Sequence, residues 1–209
     1  MGDACCGKTI EVRALQAAQR RALLWVLAIN AGTFAMMLGA ALHSGSSSLL
    51  SGGLDNLGDA ATYALSLLVV GASLRAKARV AFFKGLLILG AALAVAAQIG
   101  WRIAHPGVPI FATMGAAALL NLGFNLVCLR ILWPYRHGDI NLASAWECSR
   151  NDVYEGCAVV AAAIGVWLAG AGWPDLLVAV VLLALFLRSA VRVLSVAWRE
   201  LRAPACAAG

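Results

Sequence analysis

Asp55-Asn-Leu-Gly-Asp59 lies inside an apolar run from about residue 49 to 74, and Cys148-Ser-Arg-Asn-Asp152 lies inside another from about 142 to 171. Each pattern sets two possible metal ligands four residues apart. On an α-helix that spacing is a rise of about 6 Å and a rotation of about 40°, so both side chains leave one face. Runs of this length read as membrane-spanning helices, which need about 20 apolar residues to cross the hydrocarbon core. Carboxylates are costly there and mark an ion path, a proton relay or a ligand site. Two such pairs on separate helices can surround one divalent cation with three oxygens and one sulfur.

Composition agrees with a membrane setting. The 209 residues are 62% hydrophobic and 12% charged, with a mean hydropathy of +0.85. An ordinary soluble domain has about 45–50% apolar and about 25% charged residues, so a soluble globular domain is excluded. The net charge of +6 invites a nucleic-acid reading. Its distribution argues against one, because the basic residues sit at the ends of apolar runs and form no stripe. The partner they imply is the lipid bilayer. Cys5, Cys6, Cys128, Cys148, Cys157 and Cys206 do not make a secreted disulfide framework, since the chain is neither small nor loop-rich. Reduced thiols are expected. The first apolar run, Ala22 to Leu42, is too long for the core of a cleavable signal.

Six spans are predicted, at 22–42, 49–74, 80–102, 108–133, 142–171 and 175–198, making an all-α integral membrane protein. The polar turn His43-Ser-Gly-Ser-Ser-Ser48, the basic turn Arg75-Ala-Lys-Ala-Arg79, His105-Pro-Gly107 and Gly170-Ala-Gly-Trp-Pro174 separate them. Trp133-Pro-Tyr-Arg-His-Gly-Asp139 closes the fourth span in a polar loop with interfacial aromatics. With six spans, 15 of the 16 Lys and Arg fall on the face that holds both termini, and Arg102 alone falls on the other. By the positive-inside rule both termini are cytoplasmic. The division is residues 1–21 as a cytoplasmic segment, 22–201 as the six-helix membrane domain and 202–209 as a short cytoplasmic tail. The stretch from Lys8 to Arg21 is basic and reads as an interfacial helix on the anionic inner leaflet.

The two pairs also reach similar depths. Asp59 lies 16 residues before Arg75 and Asp152 lies 13 after Asp139, about 24 and 20 Å from the cytoplasmic ends. The helices can therefore share one site near mid-membrane. Ala92, Ala96 and Gly100 form a row of small residues suited to close helix packing, as do Gly156 and Ala161–Ala163 on the fifth span. Asn30, Asn121 and Asn125 read as hydrogen-bonders between helices.

At these residues the chain resembles the cation diffusion facilitator family of divalent-cation/proton antiporters. The likeness runs from His43 to Ser73 and from Leu142 to Leu201. Leu49-Leu-Ser-Gly-Gly-Leu-Asp-Asn-Leu-Gly-Asp59 is similar to the family's Asp-xxx-Asp helix, and Cys148-Ser-Arg-Asn-Asp152-Val to its His-xxx-Asp helix. Gly172-Trp-Pro-Asp175 and the basic end of the sixth span also fit. The resemblance implies a metal site of Asp55, Asp59, Cys148 and Asp152. It implies Zn²⁺ or Cd²⁺ as a transported substrate, with no resident cofactor, no catalytic site and no enzymatic activity. It further implies a homodimer and a plasma (inner) membrane location. Two departures stand out. Cys148 occupies a place commonly held by His or Asp, and sulfur favours softer ions such as Cd²⁺ and Zn²⁺ over Mn²⁺ and Mg²⁺. The family's usual cytoplasmic domain has no counterpart in the few residues after Trp198, so a dimer is expected to form through the membrane helices.

The chemistry suits exchange. Four ligands match tetrahedral Zn²⁺, with oxygen at about 2.0–2.2 Å and sulfur at about 2.3 Å. Binding needs deprotonated ligands, so cation and protons compete for the same groups. Glu155 follows Asp152 by three residues and offers a proton relay or an ion pair. His43, His105 and His137 read as interfacial or loop residues, and Cys5, Cys6 and Cys206 as terminal thiols able to meet soft cations. Two other classes compete with an exporter. One is a membrane metal sensor or assembly partner that does not transport. The other is an intramembrane aspartyl protease, which wants two carboxylates sharing a proton across facing helices.

Overall fold

The computed structural model describes residues 3–68, 74–136 and 140–202, with most of their side chains from residue 17 onward. Among these residues the chain forms six α-helices and one 3-10 turn, with no strand. The helices are α1 (Asp3–Ser44), α2 (Ser47–Leu68), α3 (Leu74–Ala104), α4 (Phe111–Leu132), α5 (Ile140–Ala169) and α6 (Trp173–Arg202), and the turn is Trp133–Tyr135. This is the expected all-α membrane bundle. Five of the helices, all but α2, contain a stretch long and apolar enough to cross a membrane. The exception carries Asp55, Asn56, Asp59 and several serines and glycines in its 22 residues. It is still about 33 Å long. Because α2 packs against α1, α3, α5 and α6, its polar groups meet protein instead of lipid.

Tryptophans mark both membrane boundaries. Trp101, Trp167 and Trp173 sit at the end that holds the connections 1–2, 3–4 and 5–6, and all three are exposed. Trp133, Trp146 and Trp198 lie toward the end that holds the termini. There the Arg136, Arg150 and Arg202 guanidiniums stand 4.2, 5.2 and 4.5 Å from their respective ring centres. Trp173 and Trp198 are 25 residues apart on one helix, about 37 Å. That is the spacing of two interfacial belts around a core of about 30 Å.

Several local expectations are corrected. The stretch from Lys8 to Arg21 is not a separate interfacial helix: α1 runs through it without a break for 42 residues, about 63 Å or twice the hydrocarbon thickness. Arg75–Arg79 is helical, inside α3, as suits a run of Ala, Lys and Arg, which are good helix formers without turn chemistry. The packing face of α3 is not the row Ala92, Ala96, Gly100. It is Ala92, Val95 and Ile99, which meet Ala179 and Phe186 of α6, while Gly100 faces open space. Gly156 does allow a close approach, to Leu122 of α4, and Ala162 and Ala163 are buried whereas Ala161 is exposed. His137 and Cys206 lie outside the described residues, and so do the side chains of Cys5 and Cys6.

The 1–2 turn is short and closely bonded. Gly45 takes a φ of +71°, which a residue with a side chain adopts at a cost. Ser46 then caps α2, its Oγ accepting from the Leu49 N–H at 3.1 Å. Asp175, at the start of α6, supplies the rest. Its Oδ2 accepts from the Ser47 N–H at 2.7 Å, and its Oδ1 from the Ser48 N–H at 3.1 Å and from the Ser46 and Ser48 hydroxyls at 2.6 Å each. The first amides of a helix have no partner within it, and near lipid an unmet amide costs several kcal/mol. A carboxylate from α6 meets those of α2 and ties the two helices at this end.

A candidate metal centre between α2 and α5

Above this clamp the helices diverge around a cavity of about 590 Å³ bounded by α2, α3, α5 and α6. Asp55 and Asp59 reach it from α2, and Cys148, Asp152 and Glu155 from α5. All four predicted residues thus line one space about midway along the helices. The helical period explains the arrangement: four-residue spacing turns both members of each pair to the same side, and α2 and α5 pack directly.

Burial differs among them. Asp59 and Asp152 are nearly closed off, at 9% and 5% exposure, whereas Asp55, Cys148 and Glu155 are half-buried. The Asp55 and Asp152 carboxyl groups come within hydrogen-bonding reach of each other across the helix interface. Asp59 Oδ2 accepts a hydrogen bond from the Tyr63 hydroxyl at 3.1 Å, and that hydroxyl also lies 3.5 Å from the Ala145 carbonyl of α5. Among the described residues no three His, Cys, Asp or Glu side chains are gathered tightly enough to hold an ion in this conformation. The four candidate residues line the space without being drawn together.

Two features were not foreseen. Tyr63 is fully buried and follows Asp59 by one helical turn, which is the only sequence signal for it. Arg188 and Arg192 lie on the cavity wall, in the half of α6 nearer the termini. The asparagines behave as expected. Asn56 Nδ2 donates to Asn121 Oδ1 at 2.7 Å between α2 and α4, Asn125 Nδ2 donates to the Asp152 carbonyl at 3.5 Å, and Asn30 Nδ2 reaches Cys128 Sγ at 3.9 Å. His105 stacks on Trp101 with ring centres 3.9 Å apart, an interfacial contact.

Toward the opposite end, the space between the helices is filled. Met37, Leu49, Met114, Val159 and Val166 belong to one apolar cluster. The cavity therefore stops at this apolar plug, with Arg188 and Arg192 among its lining residues on α6.

A multi-pass helical membrane protein with an acidic, thiol-bearing cavity at mid-depth is built to handle cations. Residues 23–201 match the cation efflux transmembrane domain, and the chain belongs to the cation efflux family, the cation diffusion facilitators. It is accordingly a membrane transporter of metal cations. Comparison with individual curated proteins gave no match.

Proposed function

We propose that the protein exports Zn²⁺ and Cd²⁺ from the cytoplasm in exchange for protons, using Asp55, Asp59, Cys148 and Asp152 as ligands. One observation carries this reading: the four side chains, 89 residues apart in sequence between Asp59 and Cys148, line a single cavity at mid-depth. Three carboxylates and a thiolate make a mixed oxygen and sulfur set that suits a borderline or soft divalent ion. Binding requires the ligands deprotonated, so an incoming cation displaces protons and incoming protons displace the cation. With both termini cytoplasmic and the apolar plug toward the opposite end, the ion enters the cavity from inside. A homodimer formed through the membrane helices in the plasma membrane belongs to the same reading.

The closeness of Asp55 and Asp152 across two helices is also what an acid protease needs. Family membership weighs against that chemistry, and the thiol and the third carboxylate have no part in it. Metal uptake by inside-out vesicles, measured over a panel of cations with and without an imposed pH gradient, tests the proposal. Saturable uptake of Zn²⁺ or Cd²⁺ that is driven by the gradient supports it. Metal binding without flux supports a sensor instead.

A further inference from the structure

Beside the large cavity, on the side of the apolar plug, lies a second one of about 10 Å³ between α2, α4 and α5. That is room for about one water-sized particle. Asp55, Asn125, Asp152 and Glu155 are among the residues that line it, and three of them have a buried oxygen with no hydrogen-bond partner among the described residues: Asn125 Oδ1, Asp152 Oδ2 and Glu155 Oε2. Asn125 is 1% exposed and Asp152 5%. The Asn125 amide is oriented by its nitrogen, which donates to the Asp152 carbonyl, so its oxygen is left to face elsewhere.

We infer that this small cavity is a second cation position, made of oxygen alone, which the transported ion occupies after leaving the thiol-bearing site. The inference rests on the proposed transport function. Three acceptors with no donor among them ask for a positive occupant: a single water offers two protons and leaves one oxygen unmet, whereas a divalent ion takes oxygen ligands from every side. Asp55, Asp152 and Glu155 border both cavities. The ion can therefore keep those carboxylates while exchanging Asp59 and Cys148 for Asn125. The direction is set by the fold, because Val159 borders the small cavity and belongs to the plug. This is the last polar station before the apolar barrier.

Two measurements on the full chain test the assignment. In Asn125→Leu, equilibrium Cd²⁺ binding stays within about threefold of the unsubstituted protein while Cd²⁺ flux in vesicles falls at least tenfold, a loss of the size expected when a supporting ligand is removed. Asn125→Asp, which keeps the oxygen, restores the flux. Flux unchanged in Asn125→Leu, or binding lost in step with flux, overturns the assignment. The second measurement uses Mn²⁺, an oxygen-preferring ion, followed by its electron paramagnetic resonance. Asp59→Ala combined with Cys148→Ser retains one Mn²⁺ site, and adding Asn125→Leu removes it. A double variant that holds no Mn²⁺, or a triple variant that holds it equally, overturns the inference. Failure of the transport reading shows separately, as absence of any divalent flux in the unsubstituted protein.

Discussion

Tyr63 donates its hydroxyl to Asp59 Oδ2 at 3.1 Å, holding the carboxylate from one turn further along the same helix. Partners that orient a ligand in this way usually matter about 10–100-fold to metal affinity. Tyr63→Phe keeps the buried ring and removes only the oxygen. It is expected to weaken Zn²⁺ binding by about tenfold with the helical content unchanged. Isothermal titration of the purified protein reads the affinity, and an affinity equal to the parent's would show that the hydroxyl does not hold the ligand.

Asp59→Ala and Asp152→Ala should each abolish saturable transport, a loss of more than about 100-fold, because a ligand lost costs more than a supporting partner. Both proteins should still insert, since removing a carboxylate from a membrane span lowers the cost of insertion. Vesicle flux together with the amount of inserted protein checks both parts. Normal flux in either well-inserted variant would remove that residue from the site.

Cys148 is expected to set ion preference. Thiolate favours soft ions, and imidazole is a borderline ligand better suited to Zn²⁺. Cys148→His should keep Zn²⁺ transport and lower Cd²⁺ relative to it, while Cys148→Ser weakens both. Measured Cd²⁺ to Zn²⁺ flux ratios decide the matter, and an unchanged ratio in Cys148→Ser would mean that sulfur never meets the ion.

Asp175→Ala removes the acceptor of four hydrogen bonds at the start of α2 and leaves buried donors unmet. Hydrogen bonds to a charged group contribute about 1.5–3 kcal/mol each, and the serines can recover part of this from one another. A net loss of about 3 kcal/mol follows, read as a lower thermal unfolding midpoint in detergent. Asp175→Asn should fall between the two. A midpoint equal to the parent's in Asp175→Ala would show that the clamp adds nothing to stability.

Metal affinity should fall as the pH falls, because protons and cation compete for the same carboxylates and thiolate. Zn²⁺ titrations at several pH values test the sign, and affinity that rises on acidification would exclude competition as the basis of exchange.

Much of this molecule was legible along the chain, for reasons that are local. Hydropathy places the spans because each must cross the same hydrocarbon thickness, although α2 falls short of that test taken alone. The helical period puts Asp55 with Asp59 and Cys148 with Asp152 on single faces. Counting residues from the helix ends matches their depths. Some errors arose where the cause was not local. Ala92, Ala96 and Gly100 share spacing with a packing row, yet the rotation of α3 against α6 turns Gly100 outward and brings Val95 and Ile99 in. One error had a local cause: composition marked Lys8–Arg21 as interfacial, but strong helix formers let α1 continue through it.

What only the tertiary structure decided are the contacts between residues far apart in the chain. The bonds from Asp175 to Ser46 and Ser48, the Asn56–Asn121 bond and the meeting of Asn125, Asp152 and Glu155 around one small cavity all depend on how each helix is rotated about its axis. A period of 3.6 tells which residues share a face. It does not tell which neighbour that face will meet, because helices in a bundle are set by packing against several others at once.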